Sequence, residues 1–142
     1  MIHNISYRTF VYGTEDEGKV IEAINFLFPT SLPEKTITED HFDNDILILS
    51  DKISKKRVTR DIAKFLNDNL SDEDKEIIKN ELNRRMDDQG NLFLRFDKQE
   101  AFDENLKLTY SGNAIHVRIK IASFPVSKEN AIKVSHKIFN FL

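Results

Sequence analysis

Asn113-Ala114-Ile115-His116-Val117-Arg118-Ile119-Lys120-Ile121 is the stretch that decides the fold class. Successive side chains of an extended chain point to opposite sides. Ile115, Val117, Ile119 and Ile121 therefore share one face, and His116, Arg118, Lys120 and Ala122 the other. Strict apolar/polar alternation marks a strand whose sheet has one face in the core and one toward water, the habit of antiparallel sheets. Upstream, Leu92, Leu94 and Phe96 alternate with Phe93, Arg95 and Asp97 in a second strand of the same kind, entered through a turn at Asp88-Gln89-Gly90-Asn91.

Working outward, residues 2–12 alternate less perfectly, with Ile5, Tyr7, Thr9 and Val11 against Ser6, Arg8, Phe10 and Tyr12. Gly13 breaks that strand, and Thr14-Glu15-Asp16-Glu17 has the form of a capping box. Val20, Ile21, Ile24, Leu27 and Phe28 then recur at helical spacing as far as Pro29. Residues 34–39 suit a short exposed strand. The continuous apolar run Ile46-Leu47-Ile48-Leu49 suits a more central one. A helix from about Lys56 lines up Val58, Ile62, Phe65 and Leu66 on one stripe and Arg57, Arg60 and Lys64 on another. Ser71 opens a further helix with Asp72, Glu73 and Asp74 in its first turn, where carboxylates suit the helix dipole. Asp97 starts a short helix over 98–104, and Ser127 caps a last one with Ala131, Val134, Ile138 and Leu142 aligned.

The order β-α-β-β-α-α-β-(α)-β-α predicts one α+β domain over residues 1–142: a mainly antiparallel sheet with helices packed on one face. The chain has 142 residues, enough to bury one core. It has no cysteine, which excludes disulfides, thiolate nucleophiles and cysteine-ligated metals, and fits a reducing compartment. The four His residues stand far apart without metal-ligand spacing. Glycine-rich phosphate loops and a Gly-x-Ser-x-Gly elbow are missing. Neither a secretory leader nor a membrane-length apolar run is present, so the expected address is the cytoplasm. No catalytic residue, cofactor or metal is expected.

The net charge of −3 is unusual for a nucleic-acid binder, but the charges are unevenly spread. Acid gathers in residues 15–45, and base in Lys52–Arg60 and in Lys107–Lys137. On the water-facing side of the late strands, Phe93 and Arg95 would lie near His116, Arg118 and Lys120 if those strands pair. A basic, partly aromatic sheet face is a common way to hold RNA, with bases on rings and guanidinium planes and phosphates on cations. The bland alternative is an ordinary solvated face. Lys56, Arg57 and Arg60 form a second basic cluster at a helix start, and Lys98 and Gln99 sit in the first turn of another, where phosphate can bind.

The stretch Asp88-Gln89-Gly90-Asn91-Leu92-Phe93-Leu94-Arg95-Phe96-Asp97-Lys98-Gln99 resembles an archaeal RNA-binding family described as predicted exosome subunits. Ile5–Phe10, Gly13–Asp16 and Asn113–Lys120 resemble it too. The resemblance implies a ribosomal-protein-like fold, similar to the protein that carries five-S rRNA, and an RNA-binding role. It covers Phe93, Arg95, Lys98, Gln99, Arg118 and Lys120, but not Lys56, Arg57 and Arg60. It also implies partners: RNA first, then exosome or ribosomal proteins. Two readings stay open on the residues: an RNA-binding accessory factor, and a protein-interaction module whose acidic half docks a basic partner. A nuclease is the poorest reading, because Asp97 and Glu100 alone make a thin metal site.

Overall fold

The computed structural model describes residues 1–142 and contains β1 (Ile2–Val11), α1 (Glu17–Leu27), β2 (Glu34–Glu39), β3 (Asp45–Ile53), α2 (Lys56–Asn69), α3 (Asp72–Arg85), β4 (Asn91–Asp97), α4 (Lys98–Phe102), β5 (Ala114–Ile121) and α5 (Lys128–Ile138). The strands form one five-stranded antiparallel sheet in the order β2-β3-β1-β5-β4, with helices on one face. This is the α+β arrangement that the alternation predicts. α4 stops two residues before the expected 104.

Period-two alternation separates the two faces. Ile5, Tyr7, Thr9 and Val11 of β1, Leu92, Leu94 and Phe96 of β4, and Ile115, Val117, Ile119 and Ile121 of β5 are all buried under the helices. Against them pack Val20, Ala23, Ile24 and Leu27 of α1, Ile62 and Leu66 of α2, and Ile78 and Leu82 of α3. Removing one such Leu or Ile side chain costs about 2–5 kcal/mol. Ser71 caps α3, Asp97 caps α4 and Ser127 caps α5, each accepting from a backbone N–H three residues on.

One local expectation is corrected, and another is met with less burial than the sequence suggests. The N-cap of α1 is Asp16, whose Oδ1 accepts from Gly18 N at 2.8 Å, and not Thr14. Glu17, the glutamate of the expected box, instead accepts from the Lys35 ammonium at 3.1 Å. The run Ile46–Leu49 lies in an inner strand, as its apolar continuity predicts, but only Leu49 is fully buried. Its outer neighbour β2 is exposed along its whole length, so the β2–β3 hairpin gains little cover from the helices.

A hydrogen-bond chain fixes the α1–β2 connection to the sheet. Ser31 donates to Asp51 Oδ2 at 2.7 Å, so its oxygen accepts from the Tyr7 hydroxyl at 2.6 Å. Burial, above all, pushes the Tyr7 phenol up to about 12, and Asp51 adds to the rise. At the β4 entry, Asp87 Oδ1 accepts from Gln89 N and Asn91 N, and Gly90 takes φ +83°. A Cβ at Gly90 would lie 3.3 Å from the Ile121 carbonyl.

Candidate nucleic-acid interface

Register brings the polar faces of four strands together on the side without helices. Arg8 of β1 pairs with Ser50 of β3 and with His116 of β5, and His116 pairs with Arg95 of β4. In the next row, Ser6 stands between Lys52 and Arg118, and Arg118 pairs with Phe93. A third row joins Asn4, Lys120 and Asn91. Directly paired residues have Cβ atoms ~5 Å apart, so these side chains form one patch. Ser6, Arg8, Phe93, His116 and Arg118 line a shallow hollow of about 380 Å³. A second hollow, of about 290 Å³, continues it through Lys52, Lys120 and Asn91.

The patch is rich in positive charge without local compensation. Arg8, Lys52, Arg95 and Arg118 take part in no ion pair. Carboxylates on this side lie at its margins: Asp97 is occupied capping α4, Glu34 sits on the edge strand beside Ser50, and Asp87 is tied to Asn91 near Lys120. Like charges on neighbouring strands repel, so the cluster costs the free protein stability that an anionic ligand would restore. His116 responds to that field. Burial first, then the Arg95 guanidinium, hold its imidazole below the usual 6.5 against the opposing pull of the Gly112 backbone, with Arg8 and Lys98 adding less. Phe93 is 46% exposed in this setting. Phe10, one row beyond Arg8, carries the Arg8 guanidinium 5.6 Å from its ring centroid.

The residues expected from sequence fare differently. Phe93, Arg95 and Arg118 meet on the patch. Lys120 is at its border, half-buried rather than free, with its ammonium donating to the Gln89 carbonyl. Lys98 is a correction: it is buried, donating to the Phe10 carbonyl at 2.8 Å and to Glu15 at 2.9 Å, 5.1 Å from the Tyr12 ring centroid. With its charge neutralised inside the fold, it is no surface phosphate ligand. Gln99 lies away from the patch, exposed, with Nε2 3.3 Å from Asp103. Lys56, Arg57 and Arg60 are exposed on α2, on the helical side. Sequence reasoning placed His116 on this face but did not select Arg8, Lys52 or Phe10. The alternation within residues 2–12 already put Arg8 and Phe10 on a polar face, but the β1–β5 pairing that makes this matter joins positions over 100 residues apart. No group of three His, Asp or Glu side chains gathers at metal-binding distance, and no helix is long and apolar enough to cross a membrane.

The chain is similar to known proteins along nearly all of its length. A family described as RNA binding matches residues 4–121. The chain is 37% identical over 137 residues to RNA-binding protein PAB1135 of Pyrococcus abyssi, covering 92% of this chain and 89% of the other. Among solved structures, Mth689, a DUF54 protein from Methanothermobacter thermautotrophicus, superposes with a TM-score of 0.82 at 38% identity, covering 98% of each chain. AF2318 from Archaeglobus fulgidus does so with a TM-score of 0.87 at 29% identity, over 97% of this chain and 99% of that one. With a family match over most of its length and relatives this close along nearly all of it, the chain belongs to an archaeal family of RNA-binding proteins.

Proposed function

We propose that the protein holds RNA on the uncovered face of its sheet and does so without catalysing a reaction. Phe93 stacks a base, Phe10 offers a second ring, and Arg8, Arg95, Arg118 and Lys52 pair with phosphates. The observation that carries this reading is the row Arg8–His116–Arg95 across three adjacent strands with no carboxylate partner. A fold that needed this face only for solubility would intersperse both signs. Exposed single-stranded segments suit it best, because their bases are free to stack. The sequence resemblance supports the finer proposal of an accessory role in RNA processing or degradation, exosome-associated, or in ribosome-related RNA metabolism on a ribosomal-protein-like fold.

The test is a salt titration of RNA binding by wild type and an Arg95→Ala/Arg118→Ala variant. Counterion release makes the log–log slope count phosphate contacts, at ~0.7 each for single strands. Equal slopes for the two proteins would sink the sheet-face assignment. The rival reading, docking of a basic protein, draws on the exposed acidic hairpin around Glu34, Glu39, Asp43 and Asp45. It predicts binding that depends on those carboxylates and is indifferent to the arginines.

A further inference from the structure

The helical side of the molecule carries a second concave surface, a groove of about 500 Å³ between α2 and α5. Its floor is apolar, formed in part by Ile2, Ala63 and Ile138. Its walls are cationic: Lys56, Arg60 and Lys64 from α2, and Lys137 from α5. The one carboxylate in the lining, Asp68, is at the far end and already 2.7 Å from Lys64. Positions 56, 60 and 64 are four apart, so they form a single stripe, with a rise of ~6 Å from each cation to the next. A protein with a net charge of −3 has thus gathered a line of positive charge in a hollow.

The groove is not isolated from the sheet face. Lys52 lies near the end of β3, in the hollow with Lys120 and Arg118. Only Ile53, Ser54 and Lys55 separate it from Lys56, so the chain carries positive charge around the end of the sheet from one side to the other. β1 starts at the same end. Asn4 lines the hollow on the sheet side, and Ile2, two residues earlier, lines the groove. Along this route Lys52, Lys55 and Lys56 make no ion pair.

We infer that one RNA strand bound on the sheet face continues over this end of the sheet and lays its phosphates along the α2–α5 groove. This rests on the sheet-face reading and extends it from a patch to a path. The evenly stepped cations and nearly carboxylate-free lining favour a repeating polyanion, which a polynucleotide backbone supplies at regular intervals. An acidic peptide is the competing occupant.

The experiment uses the full chain and two oligouridine probes, one just long enough for the sheet face and one about twice that length. Binding is measured for wild type, for Lys56→Ala/Arg60→Ala/Lys137→Ala, and for Arg95→Ala/Arg118→Ala. All three groove residues are exposed, so the triple variant should keep the wild-type melting curve. The expected result is that the triple variant binds the short probe as wild type does. It binds the long probe roughly tenfold or more weakly, with a slope about two lower at ~0.7 per lost contact. The double variant is weakened for both probes. If the triple variant matches wild type on the long probe, the path is overturned and the sheet-face reading stands. Loss of the short probe in the triple variant overturns the path too, because the groove is then the primary site. If the short probe ignores the double variant, the sheet-face reading itself fails. An oligoglutamate peptide that needs the three groove cations while the long RNA does not would hand the groove to an acidic protein.

Discussion

Phe93 of β4 and Arg118 of β5 are direct cross-strand partners on the face that no helix covers. An aromatic ring and a guanidinium plane side by side offer a nucleotide both of its usual handles, a surface for the base and a charge for the phosphate. The rest of the patch is arranged around this pair. Arg8 and His116 lie in the neighbouring row, and Lys52 lies across Ser6.

Arg95→Ala/Arg118→Ala should flatten the salt dependence of RNA binding by one to two units, at ~0.7 per phosphate contact. Folding stability should change by less than ~1 kcal/mol, because both side chains are exposed and unpaired. Fluorescence anisotropy across a salt series, beside a denaturant melt, reads both quantities.

Phe93→Ala should weaken RNA binding by about 1–3 kcal/mol, the worth of one stacked base, and leave the salt slope where it was. A changed slope would mean that the ring positions a cation instead of meeting a base.

The depressed imidazole of His116 gives the free protein a pH dependence of known sign. A folded pKa below the ordinary 6.5 means that the unfolded chain binds the proton more readily. The contribution is complete above the ordinary value and is lost as the pH falls through it toward the folded one. His116→Gln should remove that part of the acid destabilisation. RNA phosphates near the ring act in the opposite sense, favouring the imidazolium, so wild-type affinity should rise as the pH falls through this range and the variant's should not. Titrating the ring by NMR with and without RNA measures both shifts.

Lys98→Ala should damage the fold and spare binding. It leaves the Phe10 carbonyl and the Glu15 carboxylate without their shared donor. Breaking a buried pair by removing one partner costs about 3–5 kcal/mol, and the 27% exposure of the Glu15 side chain brings this down to about 2–3 kcal/mol. Chemical denaturation together with RNA affinity at a temperature where the variant is folded separates the two effects.

Gly90→Ala should cost about 1–2 kcal/mol from the left-handed backbone alone, since φ is +83°. The 3.3 Å approach of a Cβ to the Ile121 carbonyl adds to it. The melting temperature is the readout.

The alternating strands, the helix stripes and most of the caps were legible because they are local. Side-chain period and capping chemistry extend over a handful of residues, and Ile115–Ile121 or Ser71–Asp74 declare themselves. Which strands become neighbours is a long-range matter. The pairing of β4 with β5 could be stated only as a condition, and the pairing of β1 with β5, which brings Arg8 to His116, left no local trace. Lys98 was misread for a related reason. In a helix first turn a lysine looks solvent-facing, and only the return of residues 10–15 beside it supplies the carbonyl and carboxylate that draw it inward. The partial exposure of Ile46, Leu47 and Ile48 was hidden in the same way, since an apolar run reports its taste for cover and not how much it receives.

Because the sheet is covered on one side only, each late strand divides its positions between two masters. In β5, Ile115, Val117, Ile119 and Ile121 answer to the core, while His116, Arg118 and Lys120 answer to whatever lies outside. Substitutions in the second set leave the packing of the first untouched. Over evolutionary time the ligand preference of such a surface can drift quickly while the scaffold stays fixed, and an engineer could randomise Arg8, Phe93, Arg95, His116 and Arg118 together as a library without redesigning the domain.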